Sequence, residues 1–349
     1  MKKTLIFIMV LFLGFVAVAC GSAEEESNKS DLKVALVLTG AKNDNGWNQK
    51  GYEGLVKIQK EYGLEEGVDT AYAENVQAAQ YNQVVNDYAK DGFNVIIAHG
   101  TQLLDAVKAA AANYPDTKFL VTSSDRTALI GNGANIAGVL ADGVEQGFLM
   151  GVAAGYIAQE LGSKSVAGIG GTAINAITTT VQGYATGVYY VDKGIEVKTA
   201  YTGDFTDVNK MKEQAKTFID QGAKVVMSTA NAATSGGYEA TKEKGAVSIG
   251  ANASATAFET YKTNLAASGN VDMSEALVQV FGIINDGKYE GDNYIYGIKE
   301  GVITITFSTT EPNAKKVQEK VEAVVKKVKD GDIEVQKLLE QYKAATGTK

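Results

Sequence analysis

The chain has 349 residues, 45% hydrophobic and 21% charged, with a formal net charge of -8. This is the composition of a globular protein long enough for two domains, and an acidic chain without a basic stripe is not a nucleic-acid binder. One cysteine and one histidine exclude a disulfide framework, a thiolate metal site and a histidine metal cluster.

Residues 1–19 read as a signal peptide. Lys2 and Lys3 precede an apolar run from Leu5 to Ala19, too short for a comfortable membrane span. The run ends at 17-AVAC-20, where a lone Cys20 follows small residues at a cleavage site. That arrangement resembles a bacterial lipobox, with Ala17 where Leu is usual, and it marks Cys20 for lipidation. The alternative is a plain signal peptide cut near Ala19, leaving a free thiol. Residues 20–30 then make the lipidated Cys and a flexible, acidic tether, 21-GSAEEESNKS-30.

From Asp31 onward, short β-branched runs alternate with longer amphipathic ones. Strands are predicted at 33–38, 95–98, 118–122, 165–170, 224–228 and 247–250. A helix is predicted over 77–92, with Ala78, Tyr81, Val84, Val85 and Tyr88 on one face and Gly92 as its stop. Near the end, 315–329 places Val317, Val321, Val324, Val325 and Val328 on one helical face, with lysines elsewhere. Such a helix covers a lobe with its valines; the alternative is a basic amphipathic membrane helix. Strands alternating with helices predict an α/β fold with parallel sheet covered on both faces.

The pattern also repeats. Val34 to Tyr52 is matched by Val166 to Tyr184, and 88-YAKDGFNVIIA-98 by 218-FIDQGAKVVMS-228, at offsets of 132 and 130 residues. Two Rossmann-like lobes are therefore expected, with a ligand cleft between the carboxyl ends of their strands. The expected division is 31–125 plus 256–290 for lobe one and 126–255 plus 291–349 for lobe two. Hinges are expected near 124–141, 251–258 and 290–302.

Chemistry is sparse. His99 is the only histidine, and no nucleophile with an orienting partner accompanies it. The segment 168-GIGGTA-173 matches a dinucleotide fingerprint, but the acidic residue expected at the end of the next strand is missing. No phosphate-binding Gly-Lys-Ser/Thr loop occurs. The expectation is ligand recognition without catalysis, cofactor or metal. The sole tryptophan, Trp47, stands in the polar stretch 43-NDNGWNQ-49 beyond the first strand, which puts it at the mouth of the expected cleft.

The order of 43-NDNGWNQ-49, 53-EGL-55, 92-GFNVIIAHG-100, 114-YPDTKF-119, 136-IAGVLADGVEQGFLMG-151, 201-YTGDFTD-207 and 219-IDQGAKVV-226 resembles the basic membrane protein family. These are lipoproteins that serve as solute-binding components of ABC importers, purine nucleoside receptors among them. The resemblance implies the type I periplasmic-binding-protein fold, a small-molecule ligand, ABC permease subunits as partners and a lipid anchor on the extracytoplasmic face of the membrane. It also implies that Trp47 and Phe205 sandwich a planar ring from opposite lobes, with Asn43, Asp44 and Asn48 beside it. His99, Gly100 and Thr101, Ser123 and Asp125, Thr172 and Asn175, and Asn231 supply the polar rim. Asn252 stands where the nucleoside receptors carry a ribose-binding Asp, and relatives that bind free purine bases carry Gly-Trp or Gly-Tyr in the first loop, as in 46-GW-47, and Asn in place of the Asp. A riboflavin- or sugar-binding member of the same fold, or a ligand-sensing receptor, are the alternatives.

Overall fold

The structure is a computed structural model that describes residues 30–44 and 46–348. The expected signal peptide, Cys20 and most of the tether lie outside the described residues.

The first lobe runs through β1 (Val34–Leu38), α1 (Trp47–Tyr62), β2 (Thr70–Ala73), α2 (Tyr81–Lys90), β3 (Val95–His99), α3 (Leu104–Ala111), β4 (Lys118–Ser123) and β5 (Ile136–Ala141). The chain crosses over at Asp142. The second lobe follows with α4 (Gly143–Glu160), β6 (Ser165–Gly170), α5 (Asn175–Val191), β7 (Glu196–Tyr201), α6 (Val208–Asp220) and β8 (Val225–Thr229). It continues through α7 (Thr234–Lys244), β9 (Val247–Ala251), α8 (Ala255–Thr260) and β10 (Leu265–Val271). A return crossing at Asp272 leads to α9 (Met273–Asn285) and β11 (Asn293–Tyr296) in lobe one. A third crossing brings β12 (Ile303–Phe307), α10 (Pro312–Lys329) and α11 (Val335–Thr346) to lobe two.

The sheets repeat one design. Their strand orders are β11-β5-β4-β3-β1-β2 and β12-β10-β9-β8-β6-β7. Pairings are parallel except for β12, which runs antiparallel to β10. Central strands such as β1 and β3 are buried at every residue, because helices cover both sheet faces and leave no solvated side for polar alternation. That is why they read as unbroken apolar runs.

Two details shape the cleft side. The stretch predicted as one helix over 77–92 is a single 3-10 turn at Ala78–Gln80 followed by α2, and Gly92 ends it at a φ of 82°. In lobe two, α4 and α5 cross almost backbone to backbone. A Cβ on Gly147 would lie 2.0 Å from the Thr180 carbonyl oxygen, and one on Gly183 would lie 2.1 Å from that of Val144. The second turn of α5 is thereby held against the start of α4, just past the first crossover.

The expected lobe boundaries need correction. Residues 126–141 belong with lobe one, because the fully buried run Ile136–Ala141 adds to the first sheet beside β4. Residues 256–271 belong with lobe two, because β10 pairs with β9. Each of the first two crossings comes one strand later than expected. Residues 291–296 also belong with lobe one, as β11 pairs with β5, while the third crossing does lie within 290–302. Helix α10 buries Val317, Val321, Val324 and Val328 against α4 and the second sheet. No helix among the described residues is long and apolar enough to cross a membrane.

Candidate functional site

Every described candidate residue sits at or just beyond the carboxyl end of a strand, the edge at which open α/β sheets take ligands. Asn43, Asp44, Trp47 and Asn48 follow β1. His99 ends β3, with Gly100 and Thr101 next. Ser123 ends β4 and Asp125 follows it. Thr172 and Asn175 follow β6, Phe205 follows β7, Asn231 follows β8 and Asn252 follows β9.

In lobe one the polar residues after β1 build the start of α1. The Asp44 carboxylate accepts the backbone amides of Gly46 at 2.8 Å, Gln49 at 3.0 Å and Asn48 at 3.2 Å, and the Asn48 side-chain amide at 2.8 Å. Burial alone would raise its pKa, but these donors outweigh that and hold it below the usual carboxylate range. Asp44 thus caps the helix on which Trp47 is the first residue. The half-buried Trp47 ring stacks on His99, with centroids 4.6 Å apart and planes 20° from parallel.

His99 departs from its expected place on the rim. It is completely buried, because β3 runs through it and α1 and β4 close over its ring. Gly100, at a φ of 133°, turns the chain after it, and the neighbouring Gln102 side chain reaches back 2.9 Å to the Thr39 hydroxyl. Thr101 is exposed at the start of a 3-10 turn.

In lobe two, Phe205 is half-buried and packs on Gly171, where an added Cβ would lie 2.7 Å from the ring. Close packing on a backbone without a side chain sets the ring at the end of β6. Asn231 and Asn252 both have positive φ, 44° and 54°, a conformation asparagine tolerates better than most residues. The Asn252 Oδ1 accepts the Val271 amide at 2.8 Å, and its own amide donates to the Gly269 carbonyl at 2.9 Å.

The two edges meet. Asn175 on α5 donates through Nδ2 to Asp125 Oδ2 at 2.8 Å and to the Thr127 hydroxyl at 2.7 Å. Ser123 accepts the Asp125 amide at 3.0 Å, which fixes this segment to the end of β4. Burial would raise the Asp125 carboxyl, but the donors Asn175 and Thr127 lower it further than burial lifts it.

Sequence reading did not single out the groups at the hinge. The chain's single arginine, Arg126, pairs with the Asp142 carboxylate. The same carboxylate caps α4 through Val144 and Glu145 and accepts Gln336 Nε2 from α11 at 3.0 Å. Glu145 accepts the Ile298 amide of the third crossover at 2.6 Å. Its carboxyl is pushed up to about 7, chiefly by burial and then by neighbouring Asp142 and Glu300, against the lowering effects of the Ile298 amide and Arg126. Ile174 and Tyr201, exposed apolar residues at the carboxyl edge of the second sheet, were also not singled out. Their signal, an apolar side chain just outside a strand end, is the same as that of Phe205. Among the described residues no group of three or more His, Cys, Asp or Glu is placed to hold a metal ion.

Residues 31–338 match a family described as ABC transporter substrate-binding protein, PnrA-like. The chain is 27% identical over 328 residues to an ABC transporter nucleoside-binding protein of Lactococcus lactis subsp. cremoris, spanning 87% of this chain and 92% of that one. It is 24% identical over 327 residues to a purine-binding protein of Brucella abortus, spanning 91% and 86% of the two chains. Among solved structures, an ABC transporter solute-binding protein from Conexibacter woesei superposes with a TM-score of 0.70 at 22% identity, covering 87% of this chain and 98% of that one. That likeness shows the two-lobed fold of solute-binding proteins.

Proposed function

This chain belongs to the PnrA-like family of ABC transporter substrate-binding proteins, and from that premise we propose that it captures a purine nucleoside or purine base outside the cytoplasm. The ring stacks between Trp47 and Phe205 as the lobes close, and the closed form docks on the permease. Cys20 carries the lipid that keeps the protein at the membrane.

One observation supports this reading above the others. Each lobe presents an aromatic ring just past a strand end that is propped from behind, Trp47 by His99 and Phe205 by Gly171. A flat heterocycle offers two π faces to such a pair, and stacking on each is worth about 1–3 kcal/mol. The named nucleoside- and purine-binding relatives are consistent with a ligand of that shape.

A calorimetric screen of purine bases, purine nucleosides, riboflavin and simple sugars tests the proposal, together with native mass spectrometry of freshly purified protein. A purine ligand that loses affinity in Trp47→Ala supports it. Tight binding of a sugar alone, indifferent to that substitution, rejects the stacking site and leaves only the solute-binding fold.

A further inference from the structure

His99 touches Trp47 twice, at the ring and at the backbone. Beyond the ring stack, its Nε2 lies 2.7 Å from the Trp47 carbonyl oxygen, and its Nδ1 lies 3.0 Å from the Thr122 hydroxyl on β4. A carbonyl only accepts, so Nε2 carries the proton and Nδ1 accepts from Thr122. Gly51 of α1 closes on the ring, since a Cβ there would lie 2.8 Å from two imidazole carbons. One side chain from β3 is therefore wedged between α1 and β4, and it grips the first residue of the helix.

We propose that His99 is a positioning residue for ligand capture, a neutral imidazole that sets the plane of the Trp47 ring at the cleft and lets it loosen when protonated. The inference rests on the reading of Trp47 as a stacking wall, although the Trp47–His99 contact itself is independent of any ligand. Burial pushes the His99 pKa down to about 4, against the raising effects of the Trp47 carbonyl and the Asp44 carboxylate. Asp44, in the cap of α1, is the charged group that faces it, while Gly51 and Thr122 bring none. A proton on Nδ1 forces the Thr122 hydroxyl to turn round and accept, and leaves a buried charge without a carboxylate in contact.

Trp47 is the only tryptophan in the chain, so tryptophan emission reports this one ring. The test is time-resolved anisotropy of Trp47 at pH 7 in the full chain, with circular dichroism as a check on folding. His99→Gln keeps a donor near the Trp47 carbonyl, His99→Phe keeps a ring beneath the indole, and His99→Ala keeps neither. Gly51→Ala displaces the imidazole from the helix side. The fast-decaying fraction is expected to be smallest in the wild type, intermediate in Gln and Phe, and largest in Ala, and to grow in Gly51→Ala with helix content unchanged. Wild-type emission should also step near pH 4, and the step should vanish in all three His99 variants.

With adenosine and adenine as probes, His99→Ala should weaken binding about fivefold to tenfold, with partial recovery in Gln. A folded His99→Ala whose anisotropy matches the wild type overturns the proposal, as does a loosened ring with unchanged affinity for a bound probe. Wild-type protein that binds neither these probes nor guanosine and guanine refutes the purine reading, while the anisotropy series still decides whether His99 holds the ring.

Discussion

Asn175 in lobe two donates a 2.8 Å hydrogen bond to Asp125 in lobe one, so the carboxyl edges of the two sheets face and touch each other in this conformation. The Thr127 hydroxyl takes a second bond from the same amide. Both partners are polar and partly solvated, so the contact adds little to folding but weights the balance between open and closed forms. Asn175→Ala is expected to change stability by no more than about 0.5 kcal/mol. Loss of about 1 kcal/mol of cross-lobe bonding shifts the open-to-closed ratio about fivefold. Single-molecule energy transfer between dyes on the two lobes reads that shift, and an unchanged distribution rejects a latch at this position.

The aromatic pair carries the affinity prediction. Trp47→Ala should weaken binding of the cognate ring by roughly 1–3 kcal/mol, about five- to 150-fold, and Phe205→Ala should do likewise. Both rings are half-buried, Trp47 at the first residue of α1 and Phe205 in the loop after β7, so folding should survive either change. Calorimetry on each variant checks the figure. An effect in one lobe only would mean that the ligand rests on a single ring.

Much of the fold was legible because its central strands are buried on both faces. The predicted 33–38, 95–98, 118–122 and 165–170 coincide closely with β1, β3, β4 and β6. Strand β10, by contrast, reads LAASGNV, with Ser268 fully buried and bonded to Asn270 Oδ1, and small polar residues leave no apolar run to recognise. Strand β12, at the sheet edge, exposes every second residue and fully buries only Ile303. The crossings were misplaced because nothing local says on which side of a hinge an apolar strand such as Ile136–Ala141 will pair. The candidate residues were legible as positions past strand ends, since a strand end shows in sequence. Their partners were less so. The burial of His99 depends on Gly51 and Thr122, from α1 and β4, which only the packed lobe brings together. The Asp44 cap could have been read, because an Asp just before a helical run is an N-terminal signal.

Glu145 predicts a pH dependence of stability. Its folded pKa is raised from 4.5 to about 7, so the native state holds a proton that the unfolded chain releases between those values. Stability contributed by this group is full below about pH 4.5 and declines as pH rises towards 7, by at most about 3 kcal/mol. Glu145→Gln keeps an acceptor for the Ile298 amide and removes the ionisation. The variant should gain on the wild type at pH 8 and match it at pH 4, as read by denaturant melts at the two pH values. His99 has the opposite sign. Its pKa falls from 6.5 to about 4, so its contribution is full above pH 6.5 and is lost as pH drops towards 4. A Glu145→Gln advantage of equal size at both pH values would show that Glu145 is not protonated in the fold.

Anchoring has a direct test. Cys20 is the only cysteine and ends the signal-like run, so Cys20→Ala should move the protein from the membrane fraction to the soluble one. A variant that still sediments with membranes would remove the lipid from the proposal.

Asn252 separates nucleoside from base. Its side chain has one acceptor and one donor group, and the acceptor is already committed to the Val271 amide at 2.8 Å. The side-chain NH2 is what it most readily offers a ligand; it can donate to a ligand acceptor, but it cannot accept hydrogen bonds from two sugar hydroxyls as a carboxylate can. Asn252→Asp changes that chemistry with little change of shape. Aspartate also tolerates the positive φ of 54°, and one carboxylate oxygen can still accept from Val271. The second oxygen then replaces the NH2 as a charged acceptor. Hydrogen bonds to a charged group are worth about 1.5–3 kcal/mol, so affinity for a purine nucleoside relative to its base should rise roughly ten- to a hundredfold. Parallel titrations of adenosine with adenine, and of guanosine with guanine, against the wild type and Asn252→Asp give the ratio directly. If the ratio stays fixed while the variant folds and binds, position 252 does not meet the sugar, and the choice between nucleoside and base is made elsewhere in the cleft.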